Sequence, residues 1–160
     1  MSKIIATFFY TGLLPKAPGT WGSLAALPFA VILHNWGGFY ALLLASIIVF
    51  FIGWWATIKE TVGKDNHDPG EIVIDEVAGQ WITLLPSSYM FTRHDLPMIW
   101  PALVAGFIFF RLFDIFKPWP ISWADNKETA FGVMLDDVLA GILAAIATIL
   151  SAALYHGVVA

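Results

Sequence analysis

Two acidic pairs, Asp75-Glu76 and Asp136-Asp137, stand at the beginnings of hydrophobic stretches in a chain that otherwise keeps charge out of its apolar segments. Each follows three apolar residues, and each runs into a similar phrase, Val77-Ala78-Gly79 or Val138-Leu139-Ala140-Gly141. Carboxylates beside hydrocarbon are costly to desolvate, so a compensating cation is expected, most simply a bound metal. Neighbouring residues on a helix point about 100° apart, so one pair cannot share a narrow face, but two pairs on different helices can converge on an ion. Such an oxygen-rich site suits magnesium, manganese or calcium. The plainer alternative is that each pair decorates a helix N-terminus, where an acid gains a few tenths to about 1 kcal/mol. The repetition argues against it.

Arg111, Asp114 and Lys117 follow at i, i+3 and i+6, near one face of a helix that Pro118-Trp119-Pro120 then stops. Arg can clamp a phosphate with two hydrogen bonds and Lys can add a point charge, while Asp114 could join the metal or orient Arg111. An intrahelical ion-pair ladder is the alternative. His67, Asp68 and Glu71 form a turn before the first acidic helix and offer a base or an outer ligand. The segment from Leu14 to Ser23 is a Pro/Gly turn opening into a helix. Its free N–H groups, with Lys16 and the hydroxyl of Thr20 or Ser23, could receive phosphate; simple capping by Thr20 or Ser23 competes with that reading.

These groups need elements to hold them. Only 12% of the 160 residues are charged, 59% are hydrophobic and the mean hydropathy is +0.76, which marks an integral membrane protein of a single domain, 1–160. The absence of Cys excludes thiolate chemistry and Cys-ligated metals. A net charge of −4 with no basic cluster speaks against nucleic acid as a partner. No Gly-x-x-x-x-Gly-Lys-Ser/Thr loop supports ATP hydrolysis.

Five crossings are expected: Trp21 to Leu33, which is short, Phe39 to Ile58, Val77 to Thr92, Leu96 to Phe110, and Val138 to Ala160. The cluster His34-Asn35-Trp36-Gly37-Gly38 makes the first two a hairpin. With the N-terminus in the cytoplasm, Lys3, Lys16, Lys59, Lys64, Arg111, Lys117 and Lys127 all fall inside and only Arg93 outside. The fold class is therefore all-α, a multi-pass membrane bundle with its polar site at the cytoplasmic boundary.

Four ordered motifs carry a resemblance: LPKAPGTWGSLAALP at Leu14 to Pro28, IVIDEVAGQWITL at Ile72 to Leu84, FRLFDIFKPWPI at Phe110 to Ile121, and GVMLDDVLAG at Gly132 to Gly141. In these the chain resembles the phosphatidylglycerophosphatase A family. The resemblance implies a magnesium-dependent lipid phosphatase of the bacterial inner membrane, converting phosphatidylglycerophosphate to phosphatidylglycerol and inorganic phosphate. It places the family's acids on Asp75, Glu76, Asp136 and Asp137 and its Arg, Asp and Lys on Arg111, Asp114 and Lys117. The expected Mg²⁺ ligands are Asp75, Glu76, Asp136 and Asp137 with Asp114. Arg111 and Lys117 are then expected to bind the phosphate, with Lys16 and Thr20 nearby. An activated water, deprotonated by a carboxylate or His67, would attack phosphorus; Asp75 or Asp136 as nucleophile is the alternative. A divalent-cation transporter and a non-catalytic membrane subunit are the rival functions.

Overall fold

The computed structural model describes residues 1–64 and 66–159, and every regular element among them is helical. A short α1 (Ser2–Ala6) and a single 3-10 turn (Thr11–Leu13) precede the long α2 (Pro18–Thr61). Then follow α3 (Ile74–Arg93), α4 (Trp100–Phe116), the short α5 (Ile121–Asp125) and α6 (Ala130–Val159). Two of these, Pro18–Thr61 and Ala130–Tyr155, are long and apolar enough to cross a membrane.

The helix α2 is two arms joined at Gly37 (φ −148°, ψ 19°) and Gly38 (φ 63°, ψ −150°), where the backbone leaves the helical region. Gly38 is required twice over: its φ is positive, and a Cβ there would lie 2.8 Å from Thr92 Oγ1. That same hydroxyl accepts the Phe39 N–H at 2.8 Å, so a side chain of α3 satisfies the opening turn of the second arm. The first arm starts at Pro18, three residues before the start expected at Trp21. Proline's fixed φ suits a first helical turn, where its missing N–H costs nothing. The arm from 18 to 36 is thereby about 28 Å long at roughly 1.5 Å per residue.

Both arms flank α3. Gly22 and Gly53 approach Val73 and Ile74 at one end, while His34 and Phe39 meet Ser88 and Thr92 at the other. Trp81 donates its indole N–H to the Ala26 carbonyl at 2.9 Å, and His34 bridges Ser88 Oγ (2.8 Å) and the Leu96 carbonyl (3.1 Å). The main core joins Ala26, Ala30, Leu42, Ala56, Val77, Leu84 and Met134; a smaller one forms around Phe110, Ile121, Ala140 and Ala144. The small residues matter because helices in an apolar surrounding gain from close approach rather than from leaving water.

The α3 and α6 backbones also approach closely. A Cβ on Gly79 would lie 2.5 Å from the Asp137 carbonyl oxygen, and one on Gly141 would lie 2.5 Å from the Gly79 carbonyl oxygen. The two phrases that echo each other in the sequence therefore cross at their glycines. The crossing sets the register of the acids above it.

Candidate metal and phosphate site

Asp75 and Glu76 lie in the first turn of α3, and Asp137 lies one turn before the crossing glycine of α6. Ligand oxygens of Asp75, Glu76 and Asp137 all fall within 4.8 Å of one another. Asp114 of α4 stands beside Asp137 and Glu76. Glu76 Oε2 and Asp137 Oδ1 are buried without a hydrogen-bond partner. Unpaired carboxylate oxygens are unfavourable in an interior, and these are hard donors grouped at a spacing that one ion can bridge. The residues present thus fit a divalent cation such as Mg²⁺.

The second acidic pair divides. Asp137 faces the cluster, whereas Asp136 is turned to α4 and accepts a hydrogen bond from Lys117 Nζ at 2.6 Å. Lys117 also pairs with Asp125 of α5, a residue that sequence reasoning did not single out. The only sign of Asp125 was a lone acid closing an otherwise uncharged stretch from Pro118 to Ala124. The expected ladder along α4 is half present: Arg111 Nη1 meets Asp114 Oδ2 at 2.5 Å, but Lys117 leaves Asp114 for partners on other helices. Burial by itself would lower the Lys117 pKa; Asp125 and Asp136 outweigh it and push the ammonium up.

Lys117 gets there through its backbone. It terminates α4 in the left-handed region (φ 42°, ψ 54°), where glycine is the usual residue. For a residue with a side chain that conformation costs about 1–2 kcal/mol. We expect Lys117→Gly to be more stable than Lys117→Ala by about 1 kcal/mol, although both lose the same ion pairs. Equal urea midpoints for the two variants would show that the turn carries no strain.

Arg111 Nη1 also donates to Ser23 Oγ at 3.3 Å, and Ser23 in turn donates to the Gly19 carbonyl at 2.8 Å. The start of α2 is therefore built into the site. A Cβ on Gly19 would collide with Glu76 Oε1 and approach Arg111 Nη1 to 3.3 Å, so a glycine lets the helix end meet the acids. Neither Thr20 nor Ser23 caps this helix; Ala17 is the N-cap, left-handed (φ 50°), without a side-chain bond. Thr20 lies in the first turn and Lys16 is exposed just before it, with no ion pair among the described residues.

The connection from α2 to α3 contributes unevenly. His67 is half-buried and stands outside the carboxylate group, with no hydrogen bond or ion pair among the described residues. Glu71 faces Lys64 at 3.8 Å. Asp68 lies at the exposed rim, where desolvation pushes its carboxyl up against the opposing pull of Lys117 and His67.

An apolar helical bundle with hard-cation ligands and two held basic groups gathered at one end has the makings of a membrane protein that handles a charged headgroup. Comparison with known proteins narrows this. The chain belongs to the phosphatidylglycerophosphatase A family, whose model matches residues 4–152. It is 41% identical over 146 residues to the phosphatidylglycerophosphatase A of Haemophilus influenzae, covering 89% of this chain and 83% of that one. It is 38% identical over 146 residues to the Escherichia coli protein of the same name, covering 89% and 78%. A Bacteroides thetaiotaomicron protein provisionally named a phosphatidylinositol-3-phosphatase is 38% identical over 143 residues, covering 87% and 86%. No solved structure matches.

Proposed function

We propose that this protein hydrolyses the terminal phosphate of phosphatidylglycerophosphate, yielding phosphatidylglycerol and inorganic phosphate in phospholipid biosynthesis. The observation that carries the reading is the meeting of Asp75, Glu76 and Asp137 within 4.8 Å, with unpaired oxygens, beside Arg111. Family membership supplies the substrate, a lipid whose phosphate is a monoester.

In this reading Asp75, Glu76 and Asp137 would hold Mg²⁺, with Asp114 alongside. A divalent cation there would lower the pKa of a water and offset charge on phosphate oxygens. Arg111, kept in place by Asp114 and Ser23, presents its planar fork to the phosphate. Lys117 serves as a fixed charge rather than a proton donor, because Asp125 and Asp136 hold its proton tightly. Asp136 thus belongs to the phosphate side of the site, and positions Lys117. An oxygen of water forms the new bond to phosphorus while the bond to the glycerol oxygen breaks; the water's proton passes to a carboxylate of the site, which delivers it to the leaving glycerol oxygen. A phosphorylated aspartate trapped by rapid acid quench would replace this route with a covalent one.

The bundle lies across the bacterial inner membrane five times, through the two arms of α2, α3, α4 and α6. The site end carries Lys3, Lys16, Lys59, Lys64, Arg111, Lys117 and Lys127 and the far end Arg93, a bias that supports a cytoplasmic site. Acyl chains then stay in the bilayer while the headgroup reaches the acids.

The test is phosphate release from phosphatidylglycerophosphate by the purified protein in detergent, with Mg²⁺ or with EDTA. Release that depends on Mg²⁺ is expected. A folded protein that releases none with Mg²⁺ overturns the substrate; release from phosphatidylinositol 3-phosphate in the same assay would move the assignment to that headgroup.

A further inference from the structure

Gln80 lies on α3 one turn beyond Glu76, on the same face of the helix. Its side chain is wholly buried, and neither its amide oxygen nor its amide nitrogen has a hydrogen-bond partner. Native interiors nearly always satisfy such groups, with protein or with ordered water. An apolar side chain of similar size would fill the same space beside Thr83 and Leu84 at no polar cost, so packing alone gives no reason for a glutamine.

The amide faces the junction of α3 with α4. There Gly106 leaves room: a Cβ on it would lie 2.8 Å from Leu84 Cδ2 and 3.8 Å from Gln80 Nε2. The site itself holds further buried atoms without partners, among them the donor Arg111 Nε on α4 and the acceptor Glu76 Oε2 on α3. Long side chains on a helix lean toward its N-terminus, which for α3 is the Glu76 end. Gln80 therefore offers both a donor group and an acceptor group below a site whose buried Glu76 Oε2, Asp137 Oδ1 and Arg111 Nε are unmet. A buried water needs two to four polar partners, and these atoms supply them.

We propose that Gln80 is a positioning residue of the site, whose amide, through ordered water in the α3–α4 junction, orients the Glu76 carboxylate and the Arg111 guanidinium. The inference rests on the reading of Glu76 as a cation ligand. Outer partners of this kind typically change metal affinity by about 10- to 100-fold.

The experiment measures Mn²⁺ binding by electron paramagnetic resonance, and thermal unfolding, on detergent-purified wild type, Gln80→Leu and Gln80→Met. Both variants should unfold near the wild-type temperature, since each fills the same space with apolar atoms that need no hydrogen bond, while Mn²⁺ binds about 10- to 100-fold more weakly with an altered bound-state spectrum. Mn²⁺ affinity within twofold of wild type in either folded variant overturns the proposal. So does weakened binding that appears only alongside a lowered unfolding temperature in both variants, which would mark a packing role. Wild type that binds no Mn²⁺ overturns the cation site itself, and this inference with it.

Discussion

Asp137→Asn should remove divalent-cation binding and lower phosphate release roughly a hundred- to thousandfold, the scale on which single charge-stabilising groups act. Asp136→Asn should leave cation affinity within a few fold and weaken the handling of phosphate instead. The contrast follows from the way adjacent residues on α6 diverge. Asp137 brings an unpaired oxygen to Asp75 and Glu76, while Asp136 holds Lys117 at 2.6 Å. The amide that replaces Asp137 can offer only a neutral oxygen to a cation. The amide that replaces Asp136 still accepts a hydrogen bond from Lys117, but no longer balances its charge. Calorimetric titration with Mg²⁺ beside the phosphate assay distinguishes the two. Equal loss of cation binding in both variants would place Asp136 among the ligands and contradict the division described above.

Gly141→Val should cost about 3 kcal/mol or more, at or above the upper end of overpacking penalties, and should abolish cation binding in whatever fraction stays folded. A Cβ at this position would sit 2.5 Å from the Gly79 carbonyl oxygen and 3.1 Å from its Cα, so the obstacle is backbone, which cannot rotate aside as a side chain can. Relief requires α3 and α6 to separate. Separation pulls Asp137 from Asp75 and Glu76, because those acids lie within about a turn of the contact. Gly70→Ala is the matched control. Its Cβ would meet only Pro18 Cγ at 4.0 Å, and an effect within about 0.5 kcal/mol is expected. Denaturant unfolding in mixed detergent micelles reads both variants. A Gly141→Val protein as stable as Gly70→Ala would mean that the helices do not pack as closely as described.

Much of this was legible in the sequence because charge is scarce there. Where carboxylates are few, those that interrupt apolar runs stand out, so the two acidic pairs, Asp114, Arg111 and Lys117 are visible as candidates before any helix is placed, whereas Asp125 is not. Helix existence was legible for the same reason, since long uncharged runs have few alternatives. The start of the first arm was harder. Pro18 reads as part of a turn, and only the backbone at Ala17 shows that it begins the helix. Partner choice was not legible at all. Whether Lys117 meets Asp114 on its own helix or Asp125 and Asp136 on others depends on one left-handed residue and on how α4 packs against α6. The similar phrases Val77-Ala78-Gly79 and Val138-Leu139-Ala140-Gly141 echo each other in the sequence, but that their glycines touch is a fact of three dimensions. Gln80 was silent for a similar reason: a glutamine in a helix is unremarkable until its burial and its unmet amide are known.

The splitting of one dipeptide between two tasks limits how this protein can diversify. Asp136 and Asp137 are rigidly coupled through a single helical step, each aimed by the same rotation of α6, and that rotation is fixed by the contact of Gly141 with Gly79. Any turn of α6 that moved Asp137 relative to Asp75 and Glu76 would also disturb the lysine that Asp136 holds, and the reverse. Selection for a different headgroup therefore has little freedom inside the bundle. It has more in the connection between α2 and α3, where Asp68 and Glu71 are carried on turns outside the helices and Val73 donates its N–H to the Ala6 carbonyl at 2.8 Å. Relatives with different lipid preferences should differ first in that connection, while the crossing and its acids are kept.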